Sequence, residues 1–162
     1  RKIGNYYSES EFDLTRLAHL RPRMVEIGRS CIDADYRTGA TIALLWSGLA
    51  RYMQQNGHEY LIGCASIGMQ DGGHNAAAIY HALADRMAPP EYRVFPRYPL
   101  PLDRLASAST PGIPPLLKGY LRAGAWVCGE PAWDPDFNTA DLPMLMRIGD
   151  LPARYRKHFL GA

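Results

Sequence analysis

The sequence predicts an α/β layered domain, and two observations carry that prediction. Between Arg23 and Leu100, strand-like and helix-like stretches alternate in the order strand, helix, strand, helix, strand, the order that stacks helices on a central sheet. The 162 residues, 47% of them hydrophobic, suffice to bury one core and fall short of two ordinary domains.

Each element has a local cause. Ser8 and Glu11 stand at the spacing of a reciprocal helix-start cap and predict a helix through Leu20, ended by Pro22. Met24, Val25, Ile27, Cys31 and Ile32 predict a strand over 23–33, with Gly28 as a bulge or close backbone approach. Ile42, Leu45, Trp46, Leu49 and Met53 recur at three- and four-residue steps, so a helix opens at 36–40 and Asn56-Gly57 closes it. Glu59 to Met69 is apolar enough for a central strand, and Asp71-Gly72-Gly73 turns it into a helix from His74 to about Met87, stopped by Pro89-Pro90. Tyr92 to Leu100 reads as extended, its Pro96 and Pro99 placing it at an edge or bend. The proline- and serine-rich text through Ser107, Ala108, Ser109 and Thr110 to Gly112 predicts a loop. A short helix over 114–123, a strand over 125–128, turns over 131–138, a strand over 142–148 and a last helix from Asp150, with Pro152 in its first turn, complete a single domain over 1–162.

Composition excludes several classes. A formal net charge of +2 is too small for a dedicated nucleic-acid binder. Cys31, Cys64 and Cys128 lack the short paired spacings of zinc or redox motifs and predict reduced thiols in a cytoplasmic protein. The histidines show no ligand spacing, and no metal is expected. The longest nearly apolar stretch, Gly39 to Ala50, falls well short of the roughly 20 residues that span a bilayer.

Three groups of residues could carry chemistry. A strand running into Arg37-Thr38-Gly39-Ala40 and a helix would offer a phosphate free N–H groups, a positive helix end and a cation; by itself the junction fits a structural turn equally well. Glu26 and Arg29 form either a functional pair or a structural ion pair, and the acidic run Glu9, Glu11, Asp13 either caps a helix or attracts a dibasic ligand. 

Val25-Glu26-Ile27-Gly28-Arg29-Ser30-Cys31 resembles the Glu-x-x-Arg strand of acyl-homoserine-lactone synthases. The run from Glu26 to Trp46, followed by Tyr60-Leu61-Ile62-Gly63-Cys64-Ala65-Ser66, resembles the ornithine lipid N-acyltransferase family, sometimes labelled hemolysin-like; both are carrier-protein-dependent relatives of the GNAT superfamily. The likeness continues through residues 6–13 and 124–143. It implies a GNAT-type fold, a central, mostly antiparallel mixed sheet flanked by helices, with residues 1–104 as the donor-binding core and 105–162 supplying the C-terminal strands and helix. It also implies transfer of a long (3-hydroxy)acyl chain from the phosphopantetheine thioester of acyl carrier protein to the α-amine of ornithine, giving lyso-ornithine lipid. No tightly bound cofactor is implied, and the setting is the cytoplasm, with peripheral contact at the inner membrane face. Rival readings are N-acylation of glycine, serine, glutamine or an aromatic amino acid, and a non-catalytic carrier- or lipid-binding protein.

In this resemblance Glu26 takes the amine's proton, and a bulge at Gly28 brings Arg29 beside it to orient it or to bind the acceptor carboxylate. Backbone N–H groups near Cys31 and Ile32 polarise the thioester carbonyl, Arg37, Thr38, Gly39 and Ala40 hold the donor phosphate, and Glu9, Glu11 and Asp13 attract the acceptor's side-chain ammonium. Tyr80 or Ser66 could protonate the leaving thiolate, while a buried tyrosine and a strand serine satisfied by backbone explain each residue equally well. Arg154, Arg156, Lys157 and His158 either face an acidic carrier or anionic lipid heads or form a solvated basic helix end. The usual GNAT pyrophosphate loop, Q/R-x-x-G-x-G/A, is altered here to Arg37-Thr38-Gly39-Ala40-Thr41-Ile42, which suits a donor with a single phosphodiester. The family's earlier strands and helices have no counterpart before Arg1, so a further segment or partner chain is expected to supply them.

Overall fold

The computed structural model describes residues 4–105 and 111–160. The predicted loop residues Ser107, Ala108, Ser109 and Thr110 therefore lie outside the described residues. In chain order the regular elements are α1 (Ser8–Glu11), β1 (Phe12–Asp13), β2 (Met24–Glu26), α2 (Gly39–Gln55), β3 (Tyr60–Gly68), α3 (His74–Ala82), β4 (Phe95–Pro96), α4 (Pro115–Arg122), β5 (Trp126–Val127), β6 (Ala132–Asp134), β7 (Thr139–Arg147) and α5 (Ala153–Leu160).

The main sheet has five strands in the order β2-β3-β7-β5, with β6 also paired to β7. Among the described residues only the β2–β3 strand pair is parallel; β3 and β7 run antiparallel over nine residue pairs, from Tyr60↔Arg147 to Gly68↔Thr139. This is the mostly antiparallel mixed sheet that the resemblance implies. Pro143 is tolerated in β7 because it falls between the stretches paired with β6 and β5: Cys128 N–H donates to its carbonyl at 2.8 Å, while the Cys128 carbonyl accepts from Val94 N–H and so needs no donor from residue 143. β1 and β4 form a separate two-stranded ribbon, which places Pro96 away from the main sheet.

Alternation along β3 divides the core in two. Leu61, Ala65 and Ile67 pack with Met53, Ile79, Leu117, Leu142 and Met146 on the face covered by α2, α3 and α4. Tyr60 and Ile62 pack with Phe12, Leu17, Leu20, Met24 and Leu145 on the other.

Several expectations are corrected. The helix over 8–20 breaks at Phe12, and residues Thr15–Arg23 form a 3-10 helix instead. The Ser8/Glu11 reciprocal cap is not made: Tyr6 N–H bonds Glu9 Oε2, while the Ser8 side chain turns to Glu26. The strand over 23–33 ends at Glu26, and no bulge forms at Gly28. Ile27 N–H makes the last bond to β3, to Ile62 O at 2.9 Å, after which the chain leaves the sheet and Arg29 adopts a φ of 51°. Gly63 permits that departure: a Cβ there would lie 2.5 Å from the Ile27 carbonyl oxygen. In α2, Thr38 is the N-cap and Gly57, at φ +67°, follows the helix end as predicted. Its apolar stripe is less covered than expected, however, with Ile42 45% and Leu45 54% exposed. The turns over 131–138 contain a strand, β6, and a hairpin in which Asp134 Oδ1 accepts from Asp136 and Phe137 N–H.

Candidate active site

Glu26 closes β2, and alternation sends its side chain to the same face as Met24, beneath the N-terminal segment. Oε1 accepts from Ser8 N–H (2.7 Å) and Ser8 Oγ (2.5 Å), and Oε2 accepts from Tyr7 N–H (2.6 Å). A carboxylate offers about four lone-pair sites, so one on Oε2 remains for a further donor. Ser8, only 2% exposed, also brings Oγ to 3.6 Å from Cys64 Sγ on β3. Burial pushes the Cys64 thiol up to about 12, against nucleophilic use.

One turn along α1, Glu11 enters a buried cluster with Asp134 of β6 and Asp141 of β7, the three carboxylates offering ligand oxygens within 4.8 Å of one another. Thr139 Oγ1 donates to Asp141 at 3.1 Å, and Tyr7 Oη donates to Asp134 at 3.4 Å. Burial holds Glu11 and Asp141 above the ordinary carboxylate range, and the Asp134 charge adds to both. The same burial, with Asp134, Glu11 and Asp141 next, pushes the Tyr7 phenol up to about 12. Three carboxylates that close and that dry favour a cation between them, an ammonium or a metal ion alike.

The other acidic candidates are committed elsewhere. Glu9 is held below its ordinary value by Arg21, whose guanidinium meets it at 2.7 Å, and exposed Asp13 accepts from Thr15 N–H. Arg29 is exposed, with its guanidinium 5.3 Å from the centre of the Tyr7 ring, so it and Glu26 converge on Tyr7 rather than on each other.

The donor-side candidates surround the start of α2. Arg37 Nε donates to the Ile32 carbonyl at 3.0 Å, and Cys31 is exposed. Thr38 Oγ1 accepts from Thr41 N–H, whereas Gly39 and Ala40 N–H groups have no acceptor within the helix. Gly39 also lines the end of an apolar cavity of about 540 Å³ between α2, α4 and α5, walled by residues such as Trp46, Leu49, Leu61, Tyr120 and Met146. Trp46, Leu61, Tyr120 and Met146 also line a narrow slit bounded by Ile27, Gly63 and Cys64, where β2 departs from β3. The cavity and the slit are thus adjacent, and Ile27 in the slit follows Glu26 in the chain.

Sequence reasoning missed Ser8 as the partner of Glu26, and Asp134 and Asp141 as partners of Glu11. A carboxylate between Ala140 and Leu142, inside a strand, was the available signal for the last.

Comparison with known proteins bears on this geometry. A family model described as an acetyltransferase (GNAT) domain matches residues 1–47. The L-ornithine N(alpha)-acyltransferase of Rhodobacter capsulatus is 36% identical over 98% of this chain, and that of Agrobacterium fabrum 34% identical over 98%. The chain is thus similar along nearly its whole length to part of proteins named L-ornithine N(alpha)-acyltransferase. That of Brucella abortus is 31% identical over 98% of the chain. The chain spans 63%, 57% and 60% of the lengths of these three acyltransferases. Comparison with solved structures finds no significant match. Among the described residues, no helix is long and apolar enough to cross a membrane.

Proposed function

We propose that this chain carries the centre of an N-acyltransferase that moves a long (3-hydroxy)acyl chain from the phosphopantetheine thioester of acyl carrier protein to the α-amine of ornithine. The observation that carries the reading is the buried Glu11–Asp134–Asp141 cluster, one helical turn from the Glu26 clamp, in a chain homologous to acyltransferases named for ornithine. Ornithine is dibasic: one amine must be acylated while the other stays charged, and the carboxylate cluster offers that second ammonium a counter-charge. The α-amine then attacks the thioester carbonyl, a C–N bond forms as the C–S bond breaks, the amine's proton passes to the remaining site on Glu26, and the carrier thiolate leaves to be protonated. Lyso-ornithine lipid and the free carrier thiol are the products.

The donor would lie with its phosphate at Arg37, Thr38, Gly39 and Ala40, its thioester at the slit and its carbonyl near Cys31 and Ile32; Arg29 would take the acceptor carboxylate. Of the acidic run, Glu11 is the acceptor residue, while Glu9 and Asp13 serve the fold. A cytoplasmic site at the inner membrane face suits the free thiols Cys31, Cys64 and Cys128 and the exposed Arg156 and Lys157 of α5.

A second reading of Glu26 is favoured by its three donors, which make it a structural clamp on α1. Calorimetric titration with ornithine and with norvaline, which lacks the side-chain ammonium, tests the acceptor site. Ornithine should bind wild type and lose most of its affinity in Glu11→Gln; equal binding of both ligands would reject the cluster as the ammonium site.

A further inference from the structure

We propose that the cavity between α2, α4 and α5 holds a single unbranched acyl chain, and that Gly119 sets the length it accepts. The inference rests on the acyltransferase reading and adds to it a binding site and a specificity-determining residue. At about 540 Å³ the cavity is of the size that holds one small ligand. Its lining contains no charged side chain, and its hydrogen-bonding groups belong to the aromatic residues Trp46, Tyr120 and Tyr155. A charged or polyhydroxylated ligand would lose its hydration there without replacement. A hydrocarbon chain gains affinity at about fourfold per methylene buried.

Continuity with the slit selects an acyl chain over another apolar occupant. The two spaces share Trp46, Leu61, Tyr120 and Met146, so a chain seated in the cavity would have its head beside the slit lined by Ile27, Gly63 and Cys64. Ile42 and Leu116, both exposed, also line the cavity and extend its apolar surface to solvent.

Gly119 lies inside α4 and lines the cavity, and a Cβ built on it meets no atom within 4 Å. A larger side chain there occupies the space of the ligand rather than that of the fold. Gly48 in α2 has equally open space around its Cβ and does not line the cavity, which makes it a matched control.

The test is displacement of fluorescent cis-parinaric acid from the full chain by octanoic, lauric and palmitic acids, in wild type, Gly119→Leu, Ala43→Leu on the facing helix, and Gly48→Leu. Wild type should bind more tightly as the chain lengthens. Gly119→Leu should lose roughly tenfold or more for palmitic acid and far less for octanoic acid, Ala43→Leu should shift the same way, and Gly48→Leu should match wild type. Absence of fatty-acid binding in wild type, as when a second copy or another segment fills the groove, overturns the proposal. So does an equal loss at all chain lengths, or a Gly48→Leu effect as large as that of Gly119→Leu. No acceptor or carrier protein is present, so length-selective binding stands even if ornithine is never acylated, and its failure does not decide the transfer reaction.

Discussion

At the residue scale, Glu26 is both the proposed base and the acceptor that ties Tyr7 and Ser8 to the sheet. Glu26→Ala leaves the Ser8 hydroxyl and two N–H groups without their partner, which should cost about 1–3 kcal/mol of stability. It should also lower acyl transfer by about 10² to 10⁴. Ser8→Ala removes one donor and keeps the carboxylate, so it should lose stability while retaining most turnover. Urea denaturation beside turnover in the two variants separates the roles, and wild-type turnover in folded Glu26→Ala would remove Glu26 from the mechanism. Glu11 and Asp141 give a further handle, because both sit above the ordinary carboxylate range in the fold. A carboxylate raised on folding favours the fold while protonated; that stability is complete below its unfolded value and is lost as pH rises from there through the higher folded value. Glu11→Gln should therefore melt at a higher temperature than wild type near neutral pH, with the difference vanishing in acid. A difference that grew on acidification would mean that Glu11 is stabilised as an anion.

At the element scale, the departure of β2 from β3 sets the site. Gly63→Ala would drive a methyl group into the Ile27 carbonyl, a backbone neighbour that cannot swing aside, and should destabilise by about 1–3 kcal/mol. Thermal melts check this, and an unchanged midpoint would show that the strand can shift freely. The start of α2 offers a kinetic test. Arg37→Ala should raise the apparent KM for the carrier-bound donor more than it changes the KM for the amine, and unaltered donor dependence would reject the phosphate cradle.

Secondary structure was legible where periodicity is intrinsic to the segment. The repeat from Ile42 to Met53 and the continuous apolar run of β3 announce themselves locally. The strand over 23–33 was overextended because nothing local distinguishes Ile27, which pairs with Ile62, from Cys31, which stands in solvent. Glu26 was legible through its motif. Its partner Ser8 was not, since a serine three residues before a glutamate is also a helix-start signal, and only tertiary structure decides which carboxylate it meets.

For the whole molecule, two halves of one sheet carry the residues of the proposed site: β2 and β3 bring Glu26 and Cys64, while β6 and β7 bring Asp134 and Asp141 against Glu11 of α1. Residues 1–104 and 105–162 share this sheet, in which β7 lies between β3 and β5. The cavity and the carboxylate cluster flank opposite sides of that sheet, with the slit beside Gly63 adjoining the cavity. Mass spectrometry of turnover tests the proposal that this arrangement acylates ornithine. The full chain would be incubated with a long-chain acyl carrier protein and an equimolar panel of ornithine, glycine, serine, glutamine and phenylalanine. Wild type should give a dominant N-acyl-ornithine product, much reduced in Glu11→Gln. Acylation of the neutral amino acids at the same rate, or no product from any acceptor, would contradict it.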